Sequence, residues 1–289
     1  MVTIDCLVAS RFLSDGGAMF GLVPRPIWER TCPPDAHNRI RQNANVFLVR
    51  DAEGRTGLID TGCGLPETFP PKALEASGLD PDSSLPGALA EGGVTPESID
   101  WIFLTHLHWD HAGGLTDANH APLFPNARIR VHEREWRCAT EGNPLLYKSY
   151  PADVIEKVAL YRERMDLLDG AEAEIAPGVL ARHSGGHTAG HCTVWIPEAR
   201  IDGRDETAAL LAADVCPTQH HLRMVYQTAY DTFPLQTRAW KQESLRDIAD
   251  TQALLLLCHD PTAAGVRVVA DSKREFLAQD PWVPTGFQP

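Results

Sequence analysis

The sequence predicts an α/β protein, and three observations support that class. Short apolar runs of strand length recur along the chain. Stretches with helical spacing follow strands in both halves. Several strands also end on histidine or aspartate, so their polar ends gather at one rim. With 289 residues, 43% of them hydrophobic, the chain can bury a sizeable core and reads as a single domain over 1–289, or as two fused layers.

The elements follow in order. Residues 2 to 8, 45 to 50 and 55 to 62 read as strands, the third ending at Asp60 before a Thr-Gly turn. Between the first two lies a loop, residues 10–40, rich in proline and aromatics. It either caps a pocket, contacts a partner, or is held down by its own apolar residues. Residues 64 to 93 alternate proline, glycine and short helical pieces, and Thr95-Pro96-Glu97 has the pattern of a helix start. Residues 102 to 104 and 128 to 132 are strand-like. Residues 151 to 168 place Val154, Val158, Leu160, Met165 and Leu168 at helical spacing, which predicts a surface helix. A strand, glycine turn and strand follow over 179 to 196, then an apolar strand over 207 to 213 ending on Asp214. An amphipathic helix over 235 to 251 leads to an apolar run that ends on His259-Asp260.

The chain is organised around residues 104 to 114, Leu-Thr-His-Leu-His-Trp-Asp-His-Ala-Gly-Gly, which follow the 102–104 strand. Imidazole and carboxylate are the ligands that zinc, iron and manganese accept, and a strand-end loop can turn His106, His108, Asp110 and His111 towards one point. In a strand His106 and His108 share a face, whereas Asp110 and His111 reach the other side of the pocket only if the chain turns, which suggests two metals. His187, between tight-turn glycines, is the fourth histidine candidate, with His191 as its rival. Asp60 is placed to orient a metal-binding histidine from behind. His191 reads better as a hydrogen-bonded histidine of the turn. Phe20, Trp28, Trp109, Tyr226 and Tyr230 could wall an apolar pocket, and His221 follows Asp214 closely enough to line it. Each aromatic also has an ordinary core reading.

A formal charge of -13 without a basic stripe argues against nucleic acid as partner. Seven scattered cysteines with no Cys-x-x-Cys pair fit a reducing compartment. The N-terminus lacks a basic, then apolar, leader, and no run approaches a membrane span. The expectation is therefore a cytoplasmic protein that binds neither nucleic acid nor membrane.

The order Asp60, His106-x-His108-x-Asp110-His111, His187, Asp214, His259 resembles the metallo-β-lactamase superfamily over about two hundred residues. That resemblance implies a four-layer αβ/βα sandwich with a binuclear centre at the sheet edge. His106, His108 and His187 would hold one metal, Asp110, His111 and His259 the other, and Asp214 would bridge them. Two divalent ions, zinc in the first place with manganese, iron or cobalt as alternatives, would supply a bridging hydroxide at neutral pH, with Asp110 and Asp214 as the catalytic carboxylates. A bridging aspartate disfavours β-lactam hydrolysis.

Residues 16 to 28 and the Asp214-Val-Cys-Pro-Thr segment, with Tyr230-Asp231 beyond it, are similar to the quorum-quenching N-acyl-homoserine lactonase branch, related to the methyl parathion hydrolases. This implies a lactone substrate with an apolar body, and an organophosphate or aryl-ester hydrolase as the alternative. A glyoxalase-II-like thioesterase and a non-hydrolytic metal-binding protein are further readings, and a homodimer is allowed. One departure stands out. The branch carries a tyrosine three residues after the bridging aspartate, and this chain has Pro217, so Tyr226 or Tyr230 would have to touch the carbonyl.

Overall fold

The computed structural model describes residues 1–141, 150–284 and 287. The first half builds a sheet from β1 (Val2–Asp15), β2 (Arg39–Arg50), β3 (Thr56–Ile59), β4 (Trp101–Leu104), β5 (Arg128–His132) and β6 (Met165–Leu168). Among these strands lie α1 (Gly16–Phe20), α2 (Arg25–Trp28), α3 (Pro71–Ser77), α4 (Leu85–Glu91), α5 (Trp109–Ala112), α6 (Glu133–Thr140) and α7 (Ala152–Ala159). The second sheet comprises β7 (Glu172–Ala176), β8 (Val179–His183), β9 (Cys192–Ile196), β12 (Ala209–Leu211), β13 (Leu254–Leu256), β14 (Gly265–Asp271) and β15 (Glu275–Trp282). Two short strands, β10 (Ala199–Ile201) and β11 (Arg204–Glu206), return to the first sheet beside β1, and α8 (Pro234–Thr251) covers the second.

Period-two alternation explains the layering. In β4, Trp101 and Phe103 face the other sheet, while Ile102 and Leu104 face the outer helices. The inner face packs Ile4, Phe47 and Ile59 against Val179, Val194, Leu211 and Leu256. Outside, Leu85 and Leu89 of α4 and Val154 and Val158 of α7 cover the first sheet, and Leu245 and Ile248 of α8 cover the second. The result is the expected αβ/βα sandwich.

Some expectations need correction. Met165 to Leu168 continue no helix, because they pair in parallel with β5, and the helical spacing holds only as far as Ala159. Thr95-Pro96-Glu97 starts a single 3-10 turn, Pro96–Ser98. The anticipated 10–40 loop is shorter, since β1 stays paired with β2 out to Asp15↔Arg39 and two short helices occupy part of the remainder. The strands β7, β10, β11, β14 and β15 had no distinctive pattern in the sequence. No helix among the described residues is long and apolar enough to cross a membrane.

The Gly113-Gly114 pair seats the histidine-rich loop on the turn after β3. A Cβ on Gly113 would lie 2.1 Å from the Cys63 carbonyl oxygen, and one on Gly114 would lie 2.1 Å from that of Thr61. Gly113→Ala is therefore expected to cost about 1–3 kcal/mol in chemical denaturation, the usual range for overpacking. A wild-type midpoint would show that this close approach is not needed.

Candidate metal centre

Each strand that ends at the rim delivers a polar side chain to one cup. β4 runs into Thr105 and His106. One helical turn, α5, then begins after His108 and swings Asp110 and His111 to the far side. Gly185 and Gly186, at φ 59° and 82°, make the turn that presents His187. β12 leads to Asp214 through Ala213 at φ 47°, and β13 leads to His259.

The donor atoms fall into two sets. His106 Nε2 and His187 Nε2 lie 3.1 and 3.0 Å from His108 Nδ1, and Asp214 Oδ2 lies 3.9 and 3.2 Å from His106 Nε2 and His187 Nε2. In the second set, His111 Nε2 and His259 Nε2 are 3.0 Å apart and each is 3.1 Å from Asp214 Oδ1, with Asp110 Oδ2 3.5 Å from His259. Four donors placed tetrahedrally at zinc bond lengths sit about 3.3 Å apart, so both sets fit a divalent cation. Asp214 turns one oxygen to each set.

Three of the remaining ring nitrogens are fixed from behind. His111 Nδ1 lies 2.8 Å from Asp60 Oδ2, His187 Nδ1 lies 2.8 Å from Asp231 Oδ1, and His259 Nδ1 lies 2.8 Å from the Asn43 carbonyl. These contacts set which nitrogen is left facing the cup. Asp60, held at φ 65°, also accepts from the Thr105 backbone N–H and hydroxyl. His191 takes no place among the donors: its Nε2 accepts from the Asp214 backbone N–H, and Ser184 holds its Nδ1.

Burial, then the neighbouring rings, hold His106 and His108 well below the ordinary histidine range, in the neutral form that ligates a cation. Burial alone would lower His111 as well, yet Asp214 and Asp60 outweigh it and hold that ring well above the range. Burial would raise Asp214, but the surrounding imidazoles hold it well below the usual carboxylate value.

A cavity of about 750 Å³ opens over these groups. Trp109 and Tyr230 line it, together with Phe12, Leu13, Met19 and Arg39. Phe20, Trp28, His221 and Tyr226, the other pocket candidates, are not on its wall. They are 1%, 1%, 1% and 5% exposed and pack together behind it. His221 is pinned between Thr218 and the Met19 carbonyl, and burial pushes it down to about 3.

Two supporting roles, those of Asp231 and Glu135, carried no signal in the sequence. Asp231 backs His187 across 44 positions. Glu135, fully buried, accepts from the Leu107 N–H at 3.0 Å, the Thr188 hydroxyl at 2.6 Å and the Gly190 N–H at 3.1 Å, tying the His106–His108 loop to the His187 loop. An acid in a helix next to His132 carries no sequence signal for that role. Glu135→Gln turns an amide N–H towards donors. It should weaken metal binding by about 10 to 100-fold by competitive chelation while β-sheet content stays native. Unaltered affinity would reduce Glu135 to a packing role.

Residues 39–202 match the metallo-beta-lactamase superfamily. Among curated proteins, the N-acyl homoserine lactonase AiiB of Agrobacterium fabrum is 28% identical over 197 residues, which cover 60% of this chain and 63% of that one. An N-acyl homoserine lactonase of a Bacillus species is 28% identical over 164 residues, covering 52% and 56%. The matched stretch thus spans less than two thirds of either relative. Of solved structures, a probable metal-dependent hydrolase from Staphylococcus aureus superposes with a TM-score of 0.84 at 29% identity over 98% of both chains. AidC, described as a dizinc quorum-quenching lactonase, superposes at 0.74 with 20% identity, covering 100% of this chain and 96% of its own, a likeness of fold. A match over most of the first sheet and its rim, on a sandwich whose strand ends converge as this one's do, makes the chain a member of the metallo-beta-lactamase superfamily.

Proposed function

We propose that the chain is a binuclear metallo-hydrolase that opens the ring of N-acyl homoserine lactones. The observation that carries this reading is the shared carboxylate. Asp214 serves two donor sets at once on the floor of a cavity large enough for an acylated lactone. The activity named for the curated relatives supports the substrate class.

His106, His108 and His187 would hold one metal and Asp110, His111 and His259 the other, with Asp214 between them and zinc the first choice. When bound, the pair supplies a Lewis acid and a nucleophilic water at neutral pH. The chain's own groups do the rest. Asp110 is half-buried and lines the cavity, where it can take the proton of the attacking water and return it to the ring oxygen as the carbon–oxygen bond breaks. Tyr230, 50% exposed, also lines the cavity, and burial, then Asp110 and Asp15, raise its hydroxyl pKa, so it stays a donor. It would donate to the scissile carbonyl, the task left vacant by Pro217, whose carbonyl accepts from the His259 N–H and the Cys258 thiol. Phe12, Leu13, Met19 and Trp109 give the acyl part an apolar wall.

The test is a substrate panel on metal-loaded protein: short and long N-acyl homoserine lactones, an aryl ester, a phosphotriester and a thioester. The lactones should give the highest kcat/KM, and Tyr230→Phe should lower kcat on them about tenfold or more at unchanged metal content. Phosphotriester or aryl-ester cleavage without ring opening would replace this reading with a parathion-hydrolase-like one.

A further inference from the structure

A second chamber of about 980 Å³ adjoins the catalytic cavity, between α3 and α7. Trp109 and Ala76 belong to the walls of both, so the two spaces share a wall. Phe69, Ala73, Val154 and Leu160 make the chamber apolar, and Phe69 meets the Trp109 ring edge-on at 5.9 Å. Set into this lining is a cation. Lys157 is 8% exposed, and its Nζ donates one hydrogen bond, 3.2 Å to the Gly113 carbonyl, and sits 5.9 Å from the centre of the Phe69 ring.

Among the described residues no carboxylate lies within ion-pairing distance of Lys157, whereas Arg39 has Asp35 and Arg55 has Asp51; the other buried lysine, Lys241, donates instead to two backbone carbonyls. Asp153, one turn earlier on α7, is exposed. Burial pulls the ammonium below the ordinary lysine value, and Asp153 and Cys63 do not make up the difference. A single neutral hydrogen bond does not offset the cost of burying an ammonium, which needs a compensating partner. A lysine that merely covered apolar surface would extend its end to water, and this one does not. The chamber therefore holds two unused donors beside the wall that it shares with the catalytic cavity.

We propose that Lys157 selects among acylated substrates by donating to an oxygen carried on the acyl chain, either a keto or hydroxyl oxygen near the head or a carboxylate at the tail. The inference rests on the reading of the catalytic cavity as a site for acyl substrates. It adds that the preferred chain is not a plain hydrocarbon. The two oxygen positions share one chemistry and are separated by the choice of substrate.

The test compares Lys157→Met with wild type on matched chains carrying two different heads. The first set is N-decanoyl homoserine lactone with its 3-oxo and terminal-carboxylate counterparts. The second is the p-nitrophenyl ester of decanoate with that of sebacate, which ends in a free carboxylate. Wild type should favour at least one oxygen-bearing chain by about tenfold in kcat/KM, the usual worth of a hydrogen bond to a charged group. Lys157→Met should bring that ratio near one by losing the oxygen-bearing substrate and keeping the plain one, and Lys157→Arg should retain it. Should Lys157→Met not fold, Lys157→Leu, which likewise has no donor, carries the same comparison.

A ratio unchanged by the substitution, or no preference in wild type, overturns the role of Lys157 whichever head is cleaved. Cleavage of the aryl esters with every lactone untouched overturns the lactonase reading alone, and the ester pair still decides on Lys157. Inactivity on every pair overturns both.

Discussion

The rest of the site depends on one buried carboxylate. Asp214 is 7% exposed and surrounded by His106, His111, His187 and His259, each with a ring nitrogen within 3.9 Å of one of its oxygens. Such crowding suits a shared cation, because imidazole lone pairs 3.0–3.1 Å apart repel one another unless a proton or a metal ion lies between them. The fold accepts a further cost to hold it there: Ala213, just before Asp214, sits in the left-handed region, where a non-glycine residue is strained. Strain of this kind persists where surrounding structure over-determines it, and here β12 lies between β9 and β13 in the middle of its sheet.

The two sheets share the work. The first, through β3 and β4, provides Asp60 and the His106–His111 loop. The second, through β8, β12 and β13, provides His187, Asp214 and His259. Glu135 joins the halves by hydrogen bonds from α6 to both loops, and His191 ties the His187 loop to the Asp214 backbone within the second. The spacing of the donor atoms is set by how the sheets pack, so the inter-sheet core is part of the site's support.

The donor set was legible in the sequence because ligand chemistry restricts residue type and the strand-to-loop spacing restricts place. His106-x-His108-x-Asp110-His111 could be read from one stretch. His187, Asp214 and His259 followed from a glycine turn and two strand ends, supported by resemblance. Residues acting across long separations were not legible: Asp231 and Glu135 are single acids in unremarkable surroundings, and only the fold brings them to the histidines. The aromatics divide in the same way. Trp109 is tied to the motif and lines the cavity, whereas Phe20, Trp28 and Tyr226 look equally suited to a wall and instead form a core under α1. The edge strand β15 lacked a pattern because much of it is exposed, leaving no alternation to read.

The central claim is that one carboxylate organises two cation sites, and metal content measures it most directly. Elemental analysis of protein prepared with excess zinc, together with anomalous diffraction at the zinc edge, should find close to two ions per chain, and Asp214→Ala should lose metal while circular dichroism stays native. One ion or none in the wild type, or an Asp214→Ala variant with undiminished metal, would contradict the account.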